Sequence, residues 1–263
     1  MSIGQAVFLG LLQGLTEFLP VSSSGHLVIA QHFLTGFRQP GVLFDVMLHV
    51  GTMLAVCLYF RHDLAALLSA PLRRNEEDRR QLRLLGLLAL ASVPTAIIGL
   101  SLEDFFSRLF HSLPTVAAML LVTGSLLFVA ERLRRGERGI DRLGAFDALL
   151  VGTVQGLAII PGISRSGSTI AVLLLRGVDG EAAARFSFLL ALPAVGGAAL
   201  LSLRDLRAVQ AAEIPAYLAG TLAAFLIGLA SIHLLMGVIR KRRLLVFAVY
   251  CWLVGLLFLL VPF

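Results

Sequence analysis

The chain has 263 residues, of which 58% are hydrophobic and 14% charged, and its mean hydropathy is +0.90. A soluble domain carries about 25% charged and about 45–50% apolar residues. Polar groups are therefore too few to cover a water-soluble globule of this size, which excludes a cytosolic enzyme, a disordered chain and a secreted disulfide scaffold and defines a polytopic membrane protein.

The net charge of +6 would suit nucleic acid if the basic residues formed one patch. They fall instead in short clusters between apolar runs, as topology signals do, so no nucleic-acid partner is expected. Cys57 and Cys251 each lie inside an apolar run and are expected to be small buried hydrophobes, not a disulfide. No Lys or Arg precedes Arg38, and Gln13 and Glu17 interrupt the first apolar stretch. That stretch is expected to belong to the fold and not to a cleaved leader.

In chain order, apolar runs long enough to span a bilayer, about 17–25 residues, occur at 43–60, 84–101, 114–131, 186–203, 216–236 and 244–261. Two further apolar regions, 3–33 and 145–175, are broken in the middle by proline, glycine and serine. Sliding one over the other by 142 positions, without a gap, matches Gly10, Gln13, Gly14, Leu15, Ser22, Ser24 and Gly25 to Gly152, Gln155, Gly156, Leu157, Ser164, Ser166 and Gly167. Phe44 and Leu48 meet Phe186 and Leu190 at the same offset. Shared apolar composition supplies matching leucines but not Gln-Gly-Leu and Ser-x-Ser-Gly in one register. The chain reads as an internal duplication.

The clusters Arg73–Arg83, Arg132–Arg142 and Arg240–Arg243 should face the cytoplasm. Between the second and third lie the spans at 186–203 and 216–236 and one broken region. The count of crossings stays even only if the broken region enters and leaves on one side. Each half then has one re-entrant hairpin and three full spans, so the halves are inverted. Arg204 and Arg207 fall outside in this scheme, offset partly by Asp205. The expected fold is all-α. It has six full transmembrane helices and two re-entrant helical hairpins, in two inverted repeats of about 3–142 and 145–263 that form one membrane domain.

Pro20 and Pro161 should end the first half-helix of each hairpin. Ser22, Ser23 and Ser24, and likewise Ser164 and Ser166, can cap the second half-helix. Two helix N-termini would then point into the membrane interior, an arrangement that binds anions and phosphate above all. Paired interrupted helices also point to a midplane substrate site. Arg165, between two serines in an apolar stretch, has the fork to clamp phosphate oxygens. The alternative for Arg165 is an ion pair with Glu17.

Gln13 and Glu17 share a helix face, with Gly10 and Gly14 on an adjoining strip that allows close packing. A carboxylate beside a phosphate site can hold a divalent cation or act as general base towards serine or water. His26 could pass a proton, or could bond to backbone. Asp45 and His49, one turn apart, could face the site, although Asp45 suits a helix start. Arg176 and Arg185 read as interface anchors, and residues 102–111 as an amphipathic interfacial helix. The hairpins are unequal. The first has Glu17, Ser23 and His26 where the second has Ile159, Arg165 and Ser168. Acid–base groups on one side and a phosphate clamp on the other suggest chemistry.

Gln13-x-x-x-Glu17 followed by Phe-Leu-Pro-Val-Ser-Ser-Ser-Gly-His26, with Pro161-Gly-Ile-Ser-Arg-Ser-Gly-Ser-Thr169, resembles the undecaprenyl-diphosphate phosphatase family, the bacitracin-resistance proteins. The resemblance runs the length of the chain. It implies an enzyme of the bacterial inner membrane with an outward-facing site. The enzyme would remove the terminal phosphate of undecaprenyl diphosphate to recycle the carrier lipid for peptidoglycan, and so confer bacitracin resistance. It also implies a divalent cation, Mg2+ or Ca2+, and a homodimer. By the family pattern Glu17, Ser23, His26 and Arg165 are catalytic, while Ser22, Ser24, Gly25, Ser164, Arg165, Ser166 and Thr169 bind the diphosphate. Glu17 and Gln13 would meet the metal. Some members have glutamate at position 13 and threonine at 24, so glutamine here weakens a two-carboxylate metal site. The competing reading is a transporter or flippase for polyprenyl phosphate or another organic anion, which bare architecture favours; the one-sided placement of Glu17 and His26 favours the enzyme.

Overall fold

The structure is a computed structural model that describes residues 1–35, 42–72, 75–134, 136–202 and 210–260. Arg73, Arg74, Arg135, Arg204 and Arg207, used above to orient the chain, lie outside the described residues. The described helices are α1 (Ile3–Phe18), α2 (Ser23–Phe33), α3 (Val42–Tyr59), α4 (Arg61–Ser69), α5 (Glu76–Ser101), α6 (Glu103–Leu109), α7 (Leu113–Leu133), α8 (Ala145–Leu157), α9 (Arg165–Leu175), α10 (Gly180–Ser202), α11 (Ile214–Arg240) and α12 (Leu245–Leu260). No β-strand occurs among the described residues, and one isolated bridge joins Arg138 to Val178. The protein is an all-α polytopic membrane protein.

Helices α5, α7, α10 and α11 are long and apolar enough to cross a bilayer. The run expected at 43–60 corresponds to α3, which reaches that threshold only together with α4, across a bend of 78°. The chain turns there because Arg61, His62 and Asp63 follow the apolar run, and Asp63 enters the first turn of α4. The run expected at 244–261 is α12, an apolar helix of 16 residues. The expected count of six full spans therefore resolves into four clear ones, one bent pair and one shorter helix. The amphipathic stretch is α6, with Phe106 buried and Phe105 exposed.

Side-chain caps define several starts. Ser2 and Gln5 form a reciprocal capping box on α1, Asn75 and Asp78 do so on α5, and Ser112 caps α7. Each such cap is worth about 1 kcal/mol.

The hairpins are α1–α2 and α8–α9. Each first helix packs along a helix from the other half of the chain, α1 against α11 and α8 against α5. Small residues permit this. A Cβ on Gly10 would lie 2.2 Å from the Gly220 carbonyl oxygen, and one on Gly152 would lie 1.9 Å from that of Ala91. α7 lies against α12, and α3 contacts both α10 and α11. Cys251 is buried and Cys57 half-buried, both free, as expected. Arg176 and Arg185 are ion-paired, Arg176 with Asp147 at 2.9 Å and Arg185 with Asp63 at 2.6 Å. Arg138 joins the first pair, at 2.8 Å from Asp147.

Candidate active site

The first hairpin breaks as its proline dictates. Leu19 leaves the helix with extended backbone (φ −62°, ψ 139°), the conformation a following proline favours. Ser22 caps α2 by accepting from the Gly25 N–H at 3.3 Å, and its own φ is 70°. A non-glycine residue in that left-handed region costs about 1–3 kcal/mol and must be held by its surroundings. In the second hairpin α8 stops at Leu157, Gly162 turns the chain with φ 95°, and Ser164 caps α9 by accepting from the Gly167 N–H at 3.0 Å.

The two turns touch. A Cβ on Gly25 would lie 3.1 Å from the Gly162 Cα, and one on Gly167 would lie 3.0 Å from the Pro20 Cβ. Ser22 Oγ donates to the Ile163 carbonyl at 3.3 Å. Ser166 Oγ lies 3.3 Å from the Glu17 carbonyl and 3.5 Å from that of Leu19. The N-terminus of α9 thus meets the C-terminus of α1 in the protein interior.

Four functional groups converge on the Glu17 carboxylate. Ser23 Oγ donates to Oε2, and Gln13 Nε2 donates to the same oxygen at 3.0 Å. Arg165 Nη2 pairs with Oε1. His49 Nε2 stands 3.5 Å from Oε2. The Glu17 side chain is 5% exposed and that of Arg165 18%, so removing one partner would leave a buried charge uncompensated, at about 3–5 kcal/mol. The ion pair considered as the alternative for Arg165 is formed. Even so, Arg165 Nη1 is buried without a partner, as is the Oε1 of Gln13. A guanidinium that uses one amino group to hold Glu17 and leaves the other buried and unpaired is a donor waiting for an acceptor. Beside it, Glu17, Phe18 and Arg165 line a narrow cleft with Thr52 and Val56 of α3 and Val195 of α10.

The remaining predicted residues sit around this centre rather than in it. Ser24 Oγ lies 3.3 Å from Ser22 Oγ, and Ser164 Oγ lies 3.3 Å from Ser166 Oγ. Thr169 is fully buried; its hydroxyl bonds the Arg165 carbonyl at 2.8 Å and Ser187 Oγ at 2.6 Å, tying α9 to α10. His26 does not turn to Glu17. Its Nδ1 is 2.7 Å from the Ser22 carbonyl and its Nε2 is 2.7 Å from the Tyr250 hydroxyl of α12. Asp45 accepts from Gln31 at 3.0 Å and links α3 to α2.

Two contributors escaped the sequence reading. The Thr123 hydroxyl of α7 accepts from the Ser164 N–H at 3.0 Å and donates to the Gly162 carbonyl at 2.9 Å, clasping the second turn. On α12, Tyr250 reaches His26, and the neighbouring Cys251 Sγ lies 3.7 Å from the Pro20 carbonyl. The only signal for either was a polar atom inside an apolar run.

Half-helices from both hairpins, meeting at one buried cluster of acid, serine and arginine, define a class: an all-α membrane protein with a charged polar cluster inside its helical bundle. The bacitracin resistance protein BacA family matches residues 6–257. The chain is 64% identical over 258 residues to an undecaprenyl-diphosphatase of Syntrophotalea carbinolica, covering 98% of each. It is 47% identical to one of Desulfosudis oleivorans, covering 95% of each. It is 39% identical to one of Methanobrevibacter smithii, over 98% of this chain and 96% of that one. The chain belongs to the bacitracin resistance protein BacA family.

Proposed function

We propose that the chain hydrolyses undecaprenyl diphosphate to undecaprenyl phosphate and inorganic phosphate, recycling the carrier lipid for peptidoglycan synthesis. The activity is the one named in its relatives, and the family name links it to bacitracin resistance. One observation carries the mechanism. A single buried carboxylate, Glu17, holds the Ser23 hydroxyl on one oxygen and the Arg165 guanidinium on the other.

The terminal phosphate is received by Arg165 Nη1 and by the N-termini of α2 and α9, which favour negative charge. Glu17 takes the Ser23 proton as Ser23 Oγ bonds to the terminal phosphorus. The bond from that phosphorus to the bridging oxygen breaks, and Glu17 passes the proton to the departing oxygen of undecaprenyl phosphate. In the second step Glu17 takes a proton from water as water bonds to the phosphorus. It returns that proton to Ser23 Oγ as the serine–phosphate bond breaks. Charge stabilisation by fixed donors carries most of the burden in such a transfer.

Serine is favoured over directly activated water because its hydroxyl is already bonded to the base. Ser23→Ala should abolish turnover yet keep lipid binding, and acid quenching of wild type with terminally labelled substrate should trap a labelled protein. Substantial residual turnover without Ser23 would assign the attack to water.

The resemblance implies a divalent cation, and among the described residues no group of three or more His, Cys, Asp or Glu side chains comes together to hold one, so the protein would contribute few ligands. Gln13 Oε1 is a buried oxygen without a partner and, with a Glu17 oxygen, would supply the protein's share of an oxygen-rich site completed by the diphosphate. When bound, the cation would neutralise diphosphate charge.

The family resemblance supports a place in the bacterial inner membrane with the site opening to the outer side; the arginine clusters, read as cytoplasmic, put the entrance of the first hairpin outside and that of the second inside. We read the chain as two inverted repeats. In support, α2 and α9 are both 11 residues long, and they begin at positions the 142-residue offset makes equivalent. A homodimer, implied by the resemblance, would be measured by crosslinking in native membranes.

A further inference from the structure

We propose that Tyr250 is a positioning residue for the reaction, acting through His26 on the strained turn that presents Ser23. The inference rests on the assignment of Ser23 and Glu17 to the reaction. Ser22 sits at φ 70° immediately before Ser23, so something must hold it there. Its carbonyl receives two bonds from one residue, the His26 backbone N–H at 3.2 Å and the His26 ring Nδ1 at 2.7 Å. A carbonyl only accepts, so Nδ1 carries the proton. In the neutral ring Nε2 is then the acceptor, and the Tyr250 hydroxyl at 2.7 Å donates to it.

The two rings are also stacked, 5.6 Å between centroids and 9° from parallel. Tyr250 thereby fixes the tautomer and tilt of His26, as a partner on one imidazole nitrogen sets the role of the other. The adjacent Cys251 Sγ, 3.7 Å from the Pro20 carbonyl, fastens the other side of the same turn. Helix α12 thus clasps the first turn as Thr123 of α7 clasps the second. His26 is a positioning residue in this arrangement, since both ring nitrogens are occupied away from the Glu17 carboxylate.

The substitutions separate this role from proton transfer. Asparagine at 26 places an N–H donor near the position of Nδ1 and can keep the bond to Ser22. Glutamine mimics Nε2 and cannot. With a polyprenyl diphosphate as substrate, His26→Asn should keep at least ten times the kcat of His26→Gln. Tyr250→Phe, which preserves the stacked ring, should lower kcat about tenfold with KM unchanged. Tyr250→Phe should have no further effect on top of His26→Asn, because the link is already cut.

A readout independent of turnover is nitrogen NMR of histidine-labelled protein, with the His26 signal assigned by its loss in His26→Asn. The expected spectrum shows Nδ1 protonated and Nε2 unprotonated, with the Nε2 signal displaced in Tyr250→Phe. Equal inactivity of His26→Asn and His26→Gln, additive effects of the two substitutions, or a proton on Nε2 would overturn the proposal. Wild-type protein that shows the expected NMR signature but releases no phosphate would refute the assigned reaction while leaving the clasp intact.

Discussion

Arg165 shows how one side chain can satisfy two readings. Its Nη2 neutralises Glu17 and its Nη1 stays buried and unpaired. The ion pair and the proposed phosphate contact therefore use different amino groups and do not compete. Arg165→Lys keeps the charge but cannot hold Glu17 and reach the phosphate with two separate amino groups, so it should fold while its kcat/KM falls by about 100-fold, in the range expected for one lost hydrogen-bond donor to a developing charge. Near-normal kcat/KM would show that a point charge suffices. If Glu17 is the base of the proposed reaction, Glu17→Gln should lower turnover by about 10²–10⁴-fold in protein that still elutes as a folded species. Glu17 and Arg165 were legible because an ionised group in an apolar run needs a reason, and Ser23 because it stands in a serine cluster just after a helix-breaking proline. Thr123 and Tyr250 were not. Ser92, Thr153 and Ser231 occupy similar apolar helices yet bond only the carbonyl four residues earlier in their own helix. A hydroxyl that crosses to another element looks the same in sequence as one that does not.

The breaks between half-helices were legible because proline disfavours helix in the residue before it. α1 ends at Phe18, close to its proline, whereas α8 ends at Leu157 and spends a further turn before Pro161. The bend between α3 and α4 was not legible, because hydropathy counts apolar residues without registering a change of direction. Contacts between helices were foreseen only where glycines recur on one face. Gly152→Ala would drive a Cβ into the Ala91 carbonyl, a backbone atom that can yield only if α5 and α8 separate. Overpacking of this kind costs about 1–3 kcal/mol or more. The unfolding midpoint in detergent should fall by several degrees, while Gly139→Ala, with open space around its Cβ, should leave it unchanged. Equal midpoints would mean that α5 and α8 do not pack this closely.

At the scale of the molecule, composition alone placed the chain in a membrane, and the two hairpin motifs together identified its family. The number of full spans was less legible, since a run of apolar residues does not reveal whether a helix is straight, bent or short. Sidedness rests on the arginine clusters. With Cys57 and Cys251 replaced by serine and alanine, a cysteine at exposed Gln210 should react with an impermeant thiol reagent added to cells. One at exposed Gly139 should react only after permeabilisation. The reverse pattern would invert the molecule and exchange the sides from which the two hairpins enter.

The most direct test of the account is the rate of phosphate release from undecaprenyl diphosphate by purified protein in detergent, wild type beside Arg165→Ala. Steady release by wild type, lost on substitution in protein that still binds the lipid, is the predicted result. No release by folded, lipid-binding wild type, or unaltered release without Arg165, would contradict it. The first outcome would return the architecture to a carrier of polyprenyl phosphates, and the second would place the chemistry elsewhere in the molecule.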